Sequence, residues 1–285
     1  MDGRIKTVVL LGFLSALMLG IGRLLGGFQG LTIGLVFALV MNIGSYWFSD
    51  KIVLAIYRAK PFTQKDQPEL YKIVKEVAEK AQLPMPKLYI IPSPAPNAFA
   101  TGRNPNHAAV AFTNGILTLL NKDELRGVIA HELSHIKNRD ILITTIAATI
   151  AAVISYVGMI VRWGAIFGGF GGRDNQRGGS GGILQFLVLA ILAPLTATII
   201  QLAISRAREY QADKTGAETL KDGKHLASAL DKLHGSVSKH PLTFGNAQTS
   251  SLFIVNPFSA HGLIALFSTH PPAAERIKRL KGMKF

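Results

Sequence analysis

The sequence contains no cysteine and little charge. A scaffold held together by disulfides is excluded because none of its 285 residues carries a thiol. Asp, Glu, Lys and Arg make up 17% of the chain, whereas an ordinary soluble domain carries about 25%. The chain also lacks a Gly-X-Y repeat, and 48% of it is hydrophobic, which excludes a collagen-like fibre and a disordered polypeptide.

The shortage of charge is confined to four stretches without any Asp, Glu, Lys or Arg. These stretches are Thr7–Gly22, Leu24–Ser49, Ile141–Val161 and Gly178–Ser205. A helix needs about 20 mostly apolar residues to cross a bilayer. The first stretch is short, but the side chain of Arg23 can reach the interface and let Leu24 and Leu25 join the span. The sequence therefore predicts four transmembrane helices in two hairpins. A cleaved signal peptide is the alternative for the first stretch, although no convincing small-x-small cleavage site precedes the second.

The positive charge indicates which side of the membrane each segment faces. Lys and Arg outnumber Asp and Glu both in residues 50–140 and in residues 205–285, which predicts that these two regions and the N-terminus face the cytoplasm. The net charge of +14 does not indicate a nucleic-acid partner, because the basic residues are dispersed and no nucleic-acid-binding signature is present. Attraction to an anionic lipid bilayer accounts for the excess.

One motif in residues 50–140 carries recognisable chemistry. Asn121 followed by Glu124 predicts a capping box, and therefore a helix that continues through His131 and His135. Residues four apart share one face of a helix, so the two imidazoles point toward one spot with Glu132 beside them. This is the H-E-x-x-H pattern, in which two histidines bind Zn²⁺ and the glutamate is the general base.

A catalytic zinc needs a third protein ligand, and Glu209 is the candidate. Glu209 and Asp213 lie four apart after the fourth span, so one carboxylate could ligate while the other holds a ligand histidine. A solvated charged turn, flanked by Arg206 and Arg208, is the alternative. Two predicted spans separate Glu209 from His131, and an even number of spans returns the chain to the same face of the membrane.

These residues resemble the HtpX-type membrane zinc metalloproteases, which are relatives of the type I CAAX prenyl proteases and of the Oma-type proteases. The resemblance rests on His131–His135 continuing to Asp140, on Ser205–Asp213, and on Ser268–Pro271. It implies one Zn²⁺ held by His131, His135 and Glu209, with Glu132 as catalytic base. It also implies a multi-pass protein of the bacterial-type inner membrane that cleaves damaged or misfolded membrane proteins on the cytoplasmic side, as part of a stress response.

The expected fold is a membrane α-helical protein with an α+β zincin-like (gluzincin) catalytic domain. Four parts are predicted along the chain: a transmembrane hairpin over 1–49, a catalytic region over 50–140, a second hairpin with a glycine-rich outward loop over 141–204, and a second catalytic region over 205–285. Within the first catalytic region, Gln67–Leu83 has the apolar spacing of a helix. Pro86–Pro92, Asn97–Gly102 and His107–Thr113 are predicted strands.

Further site residues are expected near the chain end and in one strand. His270 is the candidate for stabilising the oxyanion, against the alternative of an ordinary loop histidine, and Arg276 is placed to pair with Asp213 or Glu275. A protease binds its substrate extended, and an exposed edge strand provides this by β-augmentation. Asn97–Gly102 is the expected edge, and an internal strand without a ligand is the alternative. The candidate substrate-binding residues are Asn97, Ala98, Phe99 and Ala100.

Two other functions remain open at this point. A processing protease for lipid-modified C-termini would share the chemistry, but its resemblance would bring more spans than four. A membrane scaffold or chaperone with structural zinc would need a closed site with four ligands, and no fourth ligand is evident. Membrane-protein substrates are the expected partners, and no residue pattern indicates an oligomeric state.

Overall fold

The computed structural model describes residues 3–147, 206–237, 252–254 and 271–285. Most of the third predicted span, the whole of the fourth, the glycine-rich loop between them and His270 lie outside the described residues. The elements are α1 (Gly3–Ile56), β1 (Lys60–Pro61), α2 (Pro68–Ala81), β2 (Lys87–Ile91), β3 (Ala98–Gly102), a 3₁₀ turn (Pro105–His107), β4 (Ala108–Thr113), α3 (Asn114–Leu119), α4 (Lys122–Lys137), α5 (Arg206–Leu220), α6 (Lys224–Val237) and α7 (Ala273–Lys281). Residues 141–147 are also helical.

Helix α1 folds back on itself at Gly27, whose φ of 57° lies in the left-handed region. The backbones of Gly22 and Gly30 are so close that a Cβ on either would overlap the carbonyl oxygen of the other. Asn42 Nδ2 donates to Ser15 Oγ over 2.8 Å, although a straight helix would separate these residues by about 40 Å. The two arms of α1 therefore lie side by side and antiparallel.

The second arm of α1 has the length and composition of a membrane span. Among the described residues, Gly27–Gly44 is the segment that passes this test, with a mean hydropathy of 1.6, and Leu11–Gly20 is a shorter apolar helix. Large apolar side chains on this arm are exposed, including Phe28 (76%) and Phe37 (60%). Apolar side chains exposed over such a length are suited to lipid contact. The expectation of four spans stays a prediction beyond this segment.

A four-stranded sheet in the order β1-β2-β4-β3 forms the centre of residues 50–140. β1 and β3 pair antiparallel with their neighbours, whereas β2 and β4 are parallel. Side chains of β4 alternate between two apolar clusters. Val110 and Phe112 belong to a cluster with α2, α4 and α6, while Ala109 and Ala111 belong to a cluster with Tyr57 at the end of α1. One face of the sheet thus supports the helices of the site, and the other packs against the base of the α1 hairpin.

Helix α2 agrees closely with its sequence prediction. The prediction placed apolar side chains on one face, and the structure buries them: Leu70, Ile73, Val74, Val77 and Ala81. The helix ends where Gln82 takes the left-handed conformation, with φ of 58°. The predicted strands are also present, each trimmed by one or two residues at its ends.

Helix α4 lies between α5 and α6 and approaches both at glycines. A Cβ on Gly216 of α5 would lie 3.0–3.1 Å from backbone atoms of Ala130 and His131. A Cβ on Gly127 would lie 2.7–2.9 Å from the backbone of Leu226 on α6. The capping box is present as predicted: Asn121 Oδ1 accepts from the N–H of Glu124 over 2.9 Å, and Glu124 Oε2 accepts from the N–H of Asn121 over 2.9 Å.

The capping glutamate also joins α4 to α6. Glu124 is buried, with 3% exposure. It accepts hydrogen bonds from Ser228 Oγ over 2.7 Å and from Lys232 Nζ over 2.8 Å. Burial raises the pKa of Glu124, but the hydrogen bonds from Lys232, from the N–H of Asn121 and from Ser228 outweigh it and hold the pKa below its usual value.

Candidate metal centre and active site

The structure brings His131, His135 and Glu209 together at one point between α4 and α5. Their potential ligand atoms all lie within 4.8 Å of one another. His131 Nε2 is 3.2 Å from His135 Nε2 and 3.7 Å from Glu209 Oε2, and His135 Nε2 is 3.5 Å from Glu209 Oε1. The close approach of α4 and α5 at Gly216 is what makes these distances possible, because it lets the two backbones touch beside His131.

These distances fit a tetrahedral metal centre. Zinc bonds to imidazole nitrogen and carboxylate oxygen are about 2.0–2.2 Å long, which places the ligand atoms of a tetrahedral site about 3.3–3.5 Å apart. The three measured distances lie around this value. Two imidazoles and one carboxylate are also a donor set typical of catalytic zinc, with a fourth position for water. The residues present therefore fit the metal.

The ring of His131 is held by a buried pair behind it. His131 Nδ1 donates to Asp213 Oδ1 over 2.9 Å, which leaves the Nε2 lone pair of the neutral ring for a metal. Arg276 binds both oxygens of Asp213, with Nε to Oδ2 at 2.8 Å and Nη2 to Oδ1 at 2.7 Å. Burial lowers the pKa of His131, opposed by Asp213, so the ring is held neutral. Arg276 pairs with Asp213 and not with Glu275, which instead accepts from Arg279 over 2.7 Å.

The ring of His135 is oriented by Asp140, whose Oδ2 lies 3.4 Å from His135 Nδ1. Burial by itself lowers the pKa of His135, but Asp140, Glu209 and Glu132 outweigh it and raise the pKa to about 9. Asp140 is therefore the carboxylate partner of the second histidine of the motif.

Glu132 lies beside the three ligand residues and is 2% exposed. Burial raises its pKa to about 8, and the carboxylate of Glu209 acts in the same direction. Three groups oppose this rise of the pKa: the charge of His135, the backbone N–H of Ala100 and the charge of Arg276. The N–H of Ala100 does so by donating a hydrogen bond to the Glu132 carboxylate. A carboxyl group with a pKa near neutrality can accept and release a proton during a reaction.

The strand β3 lies at one edge of the described sheet, but it is not exposed. All five of its residues are buried. The N–H of Ile254 donates to the carbonyl of Ala98 on the outer side of the strand, over 3.2 Å. Phe253 packs edge-on against Phe99 and Tyr57, with ring centroids 5.0 and 4.8 Å away. Residues 252–254 therefore cover the first part of this edge, and the amide of Ala100 faces the site.

A cleft at the metal centre is lined by residues from α4, α5, β3 and the segment that follows Asp140. Its remaining lining is Ala100, Ile141, Thr144, Arg208, Leu252, Phe253 and Ile254. Sequence reasoning treated Arg208 only as a flank of Glu209 and placed nothing at residues 252–254. Arg208 and residues 252–254 reach the cleft through tertiary packing, and no sequence motif marks either of them as part of the site. His270 lies outside the described residues.

Known proteins match this chain over nearly all of its length. Residues 64–284 match the family model described as peptidase family M48. A protease HtpX homolog from Syntrophobacter fumaroxidans is 53% identical over 283 residues, which cover 99% of this chain and 100% of the relative. A protease HtpX homolog from Thermococcus sibiricus is 52% identical over 277 residues, covering 97% and 94% of the two chains.

A solved structure shares the fold. The crystal structure of Ste24p from S. mikatae superposes with a TM-score of 0.53 at 22% sequence identity. The match covers 97% of this chain and 65% of Ste24p, so the chain spans slightly less than two thirds of that protein. With the family match over most of its length and close relatives over nearly all of it, the chain belongs to peptidase family M48 as an HtpX-type metalloprotease.

Proposed function

We propose that the chain is a zinc-dependent endopeptidase of the inner membrane that cleaves damaged or misfolded membrane proteins on the cytoplasmic side. The observation that carries the proposal is the spacing of the donor atoms of His131, His135 and Glu209, at 3.2–3.7 Å. This spacing suits a tetrahedral zinc with one open position. Among the described residues the cluster contains three ligating groups, as catalytic sites do, and not the four of a structural site.

In this proposal, His131, His135 and Glu209 hold the zinc. When bound, zinc supplies a Lewis acid that polarises the scissile carbonyl and makes water a better nucleophile. Glu132 accepts the proton of the attacking water and delivers it to the departing amine. Its buried carboxylate suits both steps, because its pKa lies near neutrality in the metal-free protein. The N–H of Ala100 fixes the carboxylate in place by donating to it.

The remaining charged residues position this set. Asp213 and Asp140 orient the rings of His131 and His135, and Arg276 in turn orients Asp213. Such outer partners fix which nitrogen of each imidazole faces the metal. We assign to His270 the stabilisation of the oxyanion that develops on the scissile carbonyl.

The substrate is proposed to bind as an extended strand at the edge of β3. The sequence indicated Asn97, Ala98, Phe99 and Ala100 for this role, but residues 252–254 cover the edge at Ala98, so the pairing is proposed to begin at Ala100. Support comes from the position of β3 at the edge of the described sheet and from the contact between Ala100 and Glu132. Main-chain hydrogen bonds to such an edge give affinity without demanding a particular sequence. That property suits an enzyme whose substrates are defined by damage and not by a motif.

The proposed location in the membrane rests on where the charged and the apolar residues lie along the chain. We keep the four parts 1–49, 50–140, 141–204 and 205–285 as the proposed organisation, with 50–140 and 205–285 in the cytoplasm. The exposed apolar side chains of Gly27–Gly44 support a lipid-embedded first hairpin. The excess of Lys and Arg in the two catalytic regions supports their cytoplasmic location.

The proposal is tested by measuring zinc content and casein cleavage in detergent. Both are measured for the purified wild type and for Glu132→Gln. The wild type is expected to bind one zinc per chain and to cleave casein. Glu132→Gln is expected to keep the zinc and to lose about 10²–10⁴-fold in kcat, the usual contribution of a general base. Glu218→Gln, an exposed glutamate of α5, is the matched control. Zinc without hydrolysis in the wild type would favour a structural-zinc scaffold.

A further inference from the structure

Among the described residues that line the cleft, Arg208 is the one charged residue that neither the metal centre nor the general base accounts for. It lies in the first turn of α5, next to Glu209, and lines the same cleft as His131 and Glu132. Its Nη2 is buried and has no hydrogen-bond partner among the described residues. Buried polar groups are nearly always hydrogen-bonded, and one that is not commonly has a ligand to bind.

The position of this guanidinium is costly in two ways. Leaving a charged donor buried without an acceptor costs more than the loss of an ordinary hydrogen bond. A fixed positive charge beside Glu209 also disfavours a divalent cation at the neighbouring ligands through like-charge repulsion. Residues that break such rules without a compensating contact are found chiefly at functional sites. A contact made only when substrate is bound would offset both costs.

The electrostatics of the cleft indicate which acceptor fits. The carboxylates of Asp140 and Glu209 are the charged neighbours of Arg208, and Glu132 lines the same cleft. A further carboxylate from an acidic side chain would meet this negative charge. A main-chain carbonyl is neutral, so these carboxylates would not repel it. Every peptide also has one.

We propose that Arg208 is a substrate-binding residue that donates from Nη2 to a main-chain carbonyl of the bound peptide, at a residue away from the scissile bond. The inference rests on the proposed function, since it assumes that peptides occupy this cleft. It differs from the roles of Arg276 and the outer carboxylates, because those side chains contact the ligand residues, whereas Arg208 contacts the substrate.

The experiment measures peptide cleavage and peptide binding for Arg208→Gln and Arg208→Lys. An internally quenched neutral peptide gives kcat and KM, and a fluorescent version gives the dissociation constant in the zinc-loaded Glu132→Gln background. Arg208→Gln is expected to raise KM and to weaken binding about ten- to hundredfold, as expected for the loss of a charged hydrogen bond, with kcat little changed. Arg208→Lys keeps the charge and one donor, and should recover part of the affinity. Arg206→Gln, an exposed arginine two residues earlier, is the control.

Three outcomes would overturn the assignment. Unchanged KM and affinity in Arg208→Gln, with active wild type, would remove Arg208 from substrate binding and leave the proposed function intact. A fall in kcat alone would assign Arg208 to the reacting atoms. A loss confined to peptides in which glutamate replaces glutamine would show recognition of a side-chain carboxylate. Absence of zinc or of cleavage in the wild type would instead contradict the proposed function itself.

Discussion

Arg276 and Asp213 lie 63 positions apart in the chain and are joined by two charge-assisted hydrogen bonds of 2.8 and 2.7 Å. Both residues are buried, at 2% exposure each. The same guanidinium donates from Nη1 to the carbonyl of Ile254 over 3.1 Å. Arg276 therefore links α7, α5 and the segment 252–254, and through Asp213 it fixes the ring of His131.

Replacing Arg276 by Met is expected to destabilise the protein by about 3–5 kcal/mol, because it leaves the carboxylate of Asp213 buried without its cation. Thermal unfolding in detergent measures the change. Arg276→Lys keeps a positive charge but cannot bind both oxygens of Asp213 in a fixed fork, so its cost should lie between those of Arg276→Met and the wild type.

Arg279 provides the control on the same helix. It pairs with Glu275 and stacks 3.7 Å over the ring of Tyr210, but its side chain is 52% exposed. Loss of an exposed pair of this kind costs about 1 kcal/mol or less. Equal destabilisation by Arg276→Met and Arg279→Gln would contradict the structural role given to Arg276.

Zinc affinity is expected to rise with pH between 6.5 and 8.5. The pKa of His135 is about 9 in the metal-free protein, so the ring carries a proton that zinc must displace throughout this range. One displaced proton makes the apparent affinity rise about tenfold for each pH unit. Competition with a chelator at several pH values measures the slope.

Asp140→Asn sharpens the test of this pH dependence. It removes the hydrogen-bonded carboxylate that contributes most to raising the pKa of His135, so the pKa falls and the slope should flatten at the upper end of the range. Asp123→Asn, at an exposed carboxylate of α4, should leave the slope unchanged. A wild-type affinity that does not vary from pH 7 to 8.5 would refute the prediction.

The sequence predicted most of the site because its parts are local. A capping box and a four-residue spacing define the helix and the face shared by His131 and His135, and both depend on neighbours along the chain. The placement of Glu209 needed one further argument, the even number of predicted spans. The pairing of Asp213 with a ligand histidine followed from helix spacing once Glu209 was chosen.

The stability conferred by Glu124 is expected to depend on pH in a defined direction. Its pKa is lowered in the folded protein, so its contribution is complete above the unfolded value of 4.5 and is lost as the pH falls through the folded value. Glu124→Gln keeps the capping geometry but removes the ion pair with Lys232. The difference in melting temperature between wild type and Glu124→Gln should therefore shrink on acidification below about pH 4.5.

Glu79→Gln, an exposed position on α2, is the reference for general effects of acid. A difference in melting temperature that stays constant from pH 7 to pH 3.5 would show that the carboxylate of Glu124 contributes through its shape alone.

Gly216→Val is expected to weaken zinc binding more than it weakens the fold. A Cβ at this position already lies 3.0–3.1 Å from the backbone of Ala130 and His131, and two further methyl groups must push α5 away from α4. The displacement separates Glu209 from the two histidines. Zinc affinity and melting temperature should be measured together, with Gly235→Val as the control, because a Cβ there has no atom of the described residues within 4 Å apart from its own helix backbone. Unchanged zinc affinity would show that the helices need not touch.

The features that sequence analysis missed are those made by long-range packing. The bonds from Ser228 and Lys232 to Glu124 join residues more than 100 positions apart. The edge position of β3 was predicted, but its cover by residues 252–254 and the contact of Ala100 with Glu132 were not. The burial of Arg208 Nη2 depends on the packing of α5 against the other walls of the cleft. No motif specifies such contacts, because each is set by where whole elements lie.

Residues 252–254 cover the edge of β3 at its beginning, so a peptide could pair only with the later part of the strand. The carbonyl of Ala98 is bonded to Ile254 and the N–H of Ala100 to Glu132, so a peptide added to this edge would extend from Ala100 toward Gly102. The next residue, Arg103, lies 4.4 Å over the ring of Trp47, on the apolar arm of α1. In the proposed function, a substrate chain leaving the lipid surface would meet this end of the strand first, and only its unfolded, extended portions would reach Glu132.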